Sequence, residues 1–487
     1  MIRGYVEQPS PSPGGRLTLR IVTDAPQFRV EFRRFGADLI EHQRSPWLAG
    51  RDAPLHLPFE DWGRPGLGLH GEPLAPWPAY PFTVPRPWKS GVYLALLIEG
   101  DGTGREVSPP DRSKPDGRNG VALFVVRAAA GTTARILYKV PLLTYHAYNL
   151  GGDEAYDPTT GRGHWCLYNV PRPHETPRRI VSAVNLHRPG GGAGAMPYDI
   201  TNFDPFDPTP RQTFVHWDAP FISWLEREGY PVDYCTDVEL HREGGALLAP
   251  YRLLLSAGHD EYWTDAMRDA VEGYVSTGGN VAFFSGNTCW WRVVFHDDHA
   301  FSRLEYWHET GRPENTMTGV SFRNGGERDR DDHPQPVGYR VQHADHWVYA
   351  GTGVHHGDVF GREGAYVVGY ESDGAHFDRA DLDGGRPVHP SGIDGTPAEF
   401  TILAVGDARP SGWGMGNAAA TMGVFTRGGT VFNAATTDWV RVLADGFEPV
   451  VEQITRNVLD RLAGYLGRGG RRHSSPGTGG SSRLRIK

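Results

Sequence analysis

Two polar turns carry the side chains best suited to acid–base or metal chemistry. His259 and Glu261 are separated by one residue and follow the apolar run Leu253–Leu255, and Asn287 follows a second apolar run, Val281–Phe284. An imidazole beside a carboxylate can bind a metal ion or transfer protons, and a carboxamide can hold a substrate oxygen as it becomes negative. The alternatives are a turn whose acidic side chains cap the next helix and an asparagine that only shapes its own turn.

Cys289 offers a different chemistry in the second turn. With His259 as its base, the thiol could act as a nucleophile. Cys289 directly precedes Trp290 and Trp291, however, and Asn287 occupies the tip of the predicted turn. The sequence therefore favours a packed cysteine and leaves a cysteine hydrolase open as an alternative.

Two further polar side chains follow predicted strands. Tyr148 lies in the cluster Thr144–Asn149, after the predicted strand Ile136–Leu143, and Glu371 follows the predicted strand Ala365–Tyr370. A tyrosine ligand requires a strongly Lewis-acidic cation such as iron(III), because a free phenol has a pKa of about 10. The alternatives are a tyrosine that packs at the rim of a core and a carboxylate on the surface.

The stretch Tyr251–Trp291 predicts how the two polar turns come together. Between its two apolar runs lies a helix with one apolar face, which Thr264 can cap and a pair of glycines can end. A strand–helix–strand unit of this length joins two parallel strands, whose carboxyl ends lie at the same edge of the sheet. Open α/β sheets bind ligands outside that edge, so we expect both turns to line one crevice.

The rest of the chain predicts two domains and a tail. Residues 1–134 alternate short apolar runs with Gly/Pro turns, which is typical of an immunoglobulin-like β-sandwich. Residues 135–466 alternate strands and helices, which predicts an α/β domain with a mostly parallel sheet and a β-rich insertion around 296–428. Residues 467–487 are rich in Gly, Ser and Arg and predict a disordered tail.

Composition excludes several classes of function. The net charge is -9 and the basic residues are dispersed, which argues against a nucleic-acid-binding protein. We find no apolar run long enough to span a bilayer and no signal-peptide pattern, so we predict a cytoplasmic protein that does not bind membranes. Three cysteines without CxxC spacing indicate neither a disulfide framework nor a structural zinc site.

Four motifs in order resemble the N,N-dimethylformamidase large (β) subunit-like family. They are Thr144-Tyr-His-Ala-Tyr-Asn149, Ser256-Ala-Gly-His-Asp-Glu-Tyr-Trp263, Ser285-Gly-Asn-Thr-Cys-Trp-Trp291 and Thr430-Val-Phe-Asn-Ala-Ala-Thr-Thr-Asp-Trp439. The resemblance extends over nearly the whole chain to about residue 465. It implies a glutamine-amidotransferase-like α/β domain and hydrolysis of small amides at a mononuclear iron, Fe(III), held by two tyrosines and one glutamate.

The same resemblance implies a role for individual residues. Glu261 and Tyr148 match iron ligands, His259 matches a histidine beside the iron, and Asn287 matches the asparagine that positions the amide. For the second tyrosine, the family's Arg-Pro-Tyr corresponds to Arg-Pro-Gly here, with Gly190 in the tyrosine's place. The nearest tyrosines in the sequence are Tyr168 and Tyr198.

We therefore expect an iron-dependent hydrolase of small amide C–N bonds, with His259, Asn287 and Glu371 as catalytic residues and Tyr148 and Glu261 as metal ligands. The expected partners are a small amide substrate and either a second copy of the chain or a small subunit. The alternatives are a cysteine hydrolase that uses Cys289 and His259, and a non-catalytic protein that binds a small ligand or glycan.

Overall fold

The computed structural model describes residues 2–53, 76–107, 120–149, 166–167, 183–192, 211–327, 337–363, 367–409 and 416–465. The predicted tail and the two candidate tyrosines Tyr168 and Tyr198 lie outside these ranges. In the part of the chain that the structure describes, every helix is too short or too polar to cross a bilayer.

The N-terminal part of the chain forms two antiparallel sheets. Its strands are β1 (Ile2–Val6), β2 (Arg16–Thr23), β3 (Gln27–Phe35), β4 (Leu39–Arg44), β5 (Leu48–Ala49), β6 (Ala79–Thr83), β7 (Gly91–Gly100) and β8 (Val121–Val126). One sheet has the order β1-β2-β6 and the other has the order β4-β3-β7-β8, with β5 on the side of β3. Apolar side chains from both sheets form one core, as a β-sandwich requires.

Strand β7 is buried on both faces and joins the sandwich to the rest of the protein. Tyr93 and Leu97 face the core between the two sheets, whereas Leu94 and Leu96 pack in the core of the larger sheet described below. Because side chains alternate along a strand, a strand that separates two cores must be apolar at every position. This explains the unbroken apolar run in β7.

The remaining elements follow in chain order. The strands are β9 (Ile136–Val140), β10 (Ala183–Asn185), β11 (Val232–Thr236), β12 (Leu253–His259), β13 (Tyr262–Trp263), β14 (Asn280–Gly286), β15 (Trp291–Phe295), β16 (Ala300–Tyr306), β17 (Ser321–Glu327), β18 (Tyr339–Val341), β19 (Val359–Phe360), β20 (Glu371–Gly374), β21 (Thr401–Asp407), β22 (Ala419–Arg427) and β23 (Gly429–Asn433). The α-helices are α1 (Leu142–Tyr148), α2 (Asp218–Arg227), α3 (Asp237–Glu243), α4 (Gly245–Leu248), α5 (Asp265–Ser276), α6 (Asn315–Thr318), α7 (Arg379–Asp383), α8 (Trp439–Asp445) and α9 (Pro449–Leu462). Short 3₁₀ helices cover Trp307–Glu309 and Trp347–Tyr349.

A nine-stranded sheet with the order β11-β9-β12-β14-β23-β22-β21-β18-β19 forms the centre of the α/β region. The strands from β11 to β23 pair in parallel, and the strands from β23 to β19 pair antiparallel. The sheet is therefore mixed, and the prediction of a mostly parallel sheet holds for one half only. The antiparallel half comes from strands that we assigned to a β-rich insertion, because periodicity identifies a strand but not the edge on which it pairs.

The predicted strand–helix–strand unit around the polar turns is confirmed. Strands β12 and β14 pair in parallel with Leu253 opposite Asn280 and His259 opposite Gly286. The Thr264 side chain caps α5 by accepting a hydrogen bond from the backbone N–H of Met267. Both polar turns therefore leave the sheet at the same edge.

Candidate functional site

His259 and Asn287 come together because their strands are neighbours. His259 is the last residue of β12, and Asn287 follows the last residue of β14. The Asn287 Nδ2 atom lies 3.5 Å from the His259 Nε2 atom. The two predicted turns therefore meet at one edge of the sheet.

Tyr148 contacts the carboxylate of the first turn. Its phenolic oxygen donates a hydrogen bond of 2.9 Å to Glu261 Oε2. The Thr144 hydroxyl accepts a hydrogen bond of 3.0 Å from the backbone N–H of Glu261, so α1 also holds the turn itself. The strand predicted to end at Leu143 ends at Val140 instead, and the residues that follow form the helix α1. The helix places Thr144 and Tyr148 on one face, because residues four positions apart lie one above the other.

Glu371 also contacts His259, although the two residues are far apart in the sequence. Glu371 Oε2 lies 2.7 Å from His259 Nε2, and Glu261 Oε2 lies 3.5 Å from the same nitrogen. Among the described residues of the predicted strand Ala365–Tyr370, none forms a strand, and β20 instead begins at Glu371. Glu371 is therefore the first residue of a strand, at the end of the loop that precedes it.

The fourth sequence motif positions Glu371. The backbone N–H of Thr437, after β23, donates to the Glu371 carbonyl at 3.0 Å, and the Thr437 hydroxyl accepts from the Glu371 N–H at 3.2 Å. A Cβ atom on Gly286 would lie 2.6 Å from both the Glu371 carbonyl oxygen and the Thr437 nitrogen. Only glycine allows these three segments to approach so closely.

The site is a buried polar cluster. Tyr148, His259, Glu261, Asn287 and Glu371 are each at most 3% exposed. An imidazole, two carboxylates, a phenol and a carboxamide thus lie together at low solvent exposure, where electrostatic interactions are stronger than in water. Such a cluster can transfer protons and can hold a developing negative charge.

The first turn also takes part in a buried cluster of charged side chains. The ammonium group of Lys139 lies 2.6 Å from Asp237 Oδ1 and 2.7 Å from Asp260 Oδ1, and Asp260 lies between His259 and Glu261 in sequence. Burial alone would lower the pKa of Lys139, but the two carboxylates raise it, so the amine remains charged. Burial raises the pKa of Asp237 to about 6 against the opposing effect of Lys139.

Asp373 holds the turn that carries Asn287. Asn287 has a φ of 50°, and the two Asp373 carboxylate oxygens accept hydrogen bonds from the backbone N–H groups of Asn287 at 3.0 Å and Thr288 at 3.1 Å. Burial raises the pKa of Asp373 well above its usual value. The sequence does not indicate this role for Asp373, since it depends on a contact between residues 86 positions apart.

Replacing Asp373 with asparagine should loosen this turn. An amide offers one oxygen to two backbone donors, so one buried N–H loses its acceptor, and we expect the free energy of unfolding to fall by about 1–3 kcal/mol. Asp297→Asn is a matched control, because Asp297 accepts from the backbone N–H groups of His299 and Ala300 in a solvent-exposed turn. Urea unfolding of both variants measures the difference, and equal losses would contradict the role assigned to Asp373.

Cys289 is fully buried and has a φ of 58°. Burial raises the pKa of its thiol well above the usual value. A nucleophilic cysteine requires a lowered thiol pKa and access for substrate. Both observations favour the packed role over the nucleophilic one.

Gly190 has a backbone conformation that a tyrosine could not adopt without strain. Its φ is 103°, a value that residues with a Cβ atom rarely adopt. The preceding Arg188 is buried and donates a hydrogen bond to the carbonyl of His146. A second tyrosine ligand would therefore have to come from another position, and the candidates Tyr168 and Tyr198 lie outside the described residues.

Tyr148 and Glu261 carry oxygen donors of the kind that a hard cation binds, a phenol and a carboxylate. The two groups are in contact through a hydrogen bond of 2.9 Å. Among the described residues, no set of three His, Cys, Asp or Glu side chains is arranged to hold a metal ion. The donor set therefore fits a hard cation such as iron(III) only with tyrosine included.

The family model and the curated proteins that match this chain carry the same description. A family model described as N,N-dimethylformamidase beta subunit-like, C-terminal, matches residues 72–452. The N,N-dimethylformamidase beta subunit of Paracoccus aminophilus is 25% identical over 405 residues, covering 71% of this chain and 51% of that protein. The corresponding subunit of Alcaligenes sp is 27% identical over 441 residues, covering 79% of this chain and 54% of that protein. This chain spans about half the length of the curated relatives it matches.

Among solved structures, a ThuA-like protein from Parabacteroides merdae aligns with 50% of this chain and 82% of its own, at 12% identity and a TM-score of 0.27. A score at that level is too low to indicate a shared fold.

Proposed function

The chain belongs to the N,N-dimethylformamidase beta subunit-like family, and we propose that it hydrolyses the C–N bond of small amides. The observation that carries this proposal is the buried cluster around His259, in which Glu261, Glu371 and Asn287 all approach the same imidazole nitrogen. The relatives are named N,N-dimethylformamidase subunits, so we propose N,N-dimethylformamide as the first candidate substrate.

Amide hydrolysis requires two proton transfers. Water loses a proton as it attacks the carbonyl carbon, and the amine nitrogen gains a proton as the C–N bond breaks. His259 Nε2 would accept the first proton and deliver one to the nitrogen, and Glu371, 2.7 Å away, would share that proton. The net reaction consumes one water and releases a carboxylic acid and an amine.

Asn287 would bind the carbonyl oxygen of the amide. Its Nδ2 group is a hydrogen-bond donor that faces the same space as His259 Nε2. Asp373 holds the backbone of Asn287, so this donor would not need to reorganise when the oxygen becomes negative.

Tyr148 and Glu261 would hold an iron ion. When bound, the ion would supply Lewis acidity, which polarises a carbonyl group and lowers the pKa of water. The contact of a buried phenol with a buried carboxylate, both oxygen donors suited to a hard cation, supports this proposal. The relatives are named as beta subunits, so we also propose that this chain assembles with a second, smaller subunit or with another copy of itself.

The test is the metal content and the colour of the purified protein. We expect about one iron per chain, a visible phenolate-to-iron(III) absorption band, and release of dimethylamine from N,N-dimethylformamide. Tyr148→Phe should weaken the band and the iron content, because it removes a ligand oxygen. Tyr349→Phe is the matched control, since Tyr349 is a buried tyrosine whose hydroxyl donates to the Leu403 carbonyl in the antiparallel half of the sheet.

Two results would reject parts of this proposal. Protein that contains no iron and still hydrolyses amides would reject the metal. Iron-loaded protein that hydrolyses no small amide, alone or with added partner subunit, would reject the amidase activity and favour a protein that only binds ligands.

A further inference from the structure

Gln212 is the partner of His259 on the side that faces away from the carboxylates. It lies in the segment that precedes α2 and is buried, and its Oε1 atom lies 2.6 Å from His259 Nδ1. Strand β12 and this segment meet across 47 positions of the chain. The contact is as short as a strong hydrogen bond.

A second contact bears on the orientation of the Gln212 amide. The indole Nε1 atom of Trp217 lies 3.4 Å from the same Oε1 atom. An indole N–H can only donate, so this contact favours the oxygen as the amide atom that faces it. With the oxygen in that place, the hydrogen atom in the contact with His259 belongs to Nδ1, because an amide oxygen cannot donate.

We infer that Gln212 is a positioning residue that keeps a proton on His259 Nδ1 and turns Nε2 toward Glu371 and Asn287. The orientation of the imidazole follows from geometry alone, whereas its effect on turnover rests on the proposed amidase function. With Nδ1 occupied, Nε2 is the ring position from which His259 can exchange protons with the site, and its 2.7 Å contact with Glu371 Oε2 holds one proton, on the nitrogen or on the carboxyl group.

The chemistry of Gln212 suits this position better than that of a carboxylate. Glu261 and Glu371 already lie within 3.5 Å of the imidazole, and a third negative charge would be buried beside them. A neutral amide accepts the Nδ1 proton without adding charge.

The backbone at Gln212 is held in an uncommon conformation. Its φ is 60°, in the left-handed region that residues with a Cβ atom rarely adopt. The neighbouring Arg211 is also buried, and its guanidinium lies 4.3 Å from the ring centre of Tyr370, the residue before Glu371. The packing of Arg211 against Tyr370 therefore helps to hold this backbone conformation, in which the Gln212 amide contacts the imidazole.

The first test replaces the acceptor. Gln212→Met has a similar length and no acceptor oxygen, and we expect kcat to fall by about 10–100-fold with KM changed by less than about threefold. Gln212→Glu adds a buried negative charge but retains an acceptor oxygen, so its kcat should fall by less than that of Gln212→Met. Gln342→Met is the matched control: Gln342 is also buried and accepts a hydrogen bond from the backbone N–H of Val388, but it follows β18, in the antiparallel half of the protein's large sheet.

The second test does not depend on activity. In protein labelled with ¹⁵N-histidine, the His259 signals are identified by their loss in His259→Asn, and iron, which would broaden them, is replaced with diamagnetic gallium(III). We expect a proton on Nδ1 in the original protein and in Gln212→Glu, and a changed Nδ1 signal in Gln212→Met. A proton found only on Nε2, or an unchanged Nδ1 signal in Gln212→Met, would overturn the inference.

These measurements separate the two proposals. An inactive protein with the expected Nδ1 signal would reject the amidase function and support the role of Gln212 in orienting His259. If Gln212→Met does not fold, the Nδ1 signal of the original protein and of Gln212→Glu still decides the orientation.

Discussion

Replacing His259 with asparagine is expected to lower kcat/KM for a small amide by about 10²–10⁴-fold, the range that a positioned general acid–base group contributes. Asparagine can place a donor near the position of Nδ1 and keep the contact with Gln212, which is 2.6 Å long in the original protein. It has no group at the position of Nε2, so the contact with Glu371 is lost. Steady-state kinetics with N,N-dimethylformamide measures the effect.

His241→Asn is the control for this variant. His241 is partly buried and its Nδ1 atom lies 2.8 Å from the Thr264 hydroxyl, at the start of α5 and outside the cluster around His259. We expect its turnover to stay within about threefold of the original protein. Equal turnover in His259→Asn and in the original protein would contradict a role of His259 in proton transfer.

Replacing Lys139 with methionine is expected to lower the free energy of unfolding by about 3–5 kcal/mol, the usual result when one partner of a buried ion pair is removed. Lys139 is fully buried and is the cation that contacts both Asp237 and Asp260. Without it, two buried carboxylates remain close together, and either a charge stays unpaired or a proton must be taken up. The midpoint of urea unfolding measures the loss.

The solvent-exposed counterpart of this cluster is Arg456, which also lies between two carboxylates, Glu228 and Glu452. These three side chains are about one quarter to one third exposed, so Arg456→Met should cost less than about 1 kcal/mol. A loss in Lys139→Met no greater than in Arg456→Met would show that the buried cluster does not stabilise the fold.

The unit that carries the site could be predicted from the sequence because its signals are local. The apolar run of β12, the spacing of the buried residues of α5 and the cap at Thr264 all act within a few residues. Parallel pairing of β12 and β14 then follows from the length of the connection. The closeness of His259 and Asn287 is a consequence of that pairing.

The predictions that the structure contradicts concern short segments whose sequence pattern fits more than one structure. Apolar residues that continue past Val140 fit either a longer strand or the helix α1 that the chain forms, since a run of this length has no clear period. The antiparallel half of the large sheet was predicted as a separate insertion, because strand propensity does not identify the neighbouring strand.

The sequence by itself determined the polar turns at the ends of β12 and β14 and the residue types within them, because these depend on interactions between near neighbours. The tertiary structure decided which groups surround His259: Gln212 on Nδ1, Glu371 on Nε2, and Asp373 behind Asn287. These contacts join positions separated by 47 to more than 100 residues, and neither periodicity nor capping rules carry information over such distances. They form because the sheet brings the ends of several strands and the preceding loops to one edge, where buried polar groups must find partners.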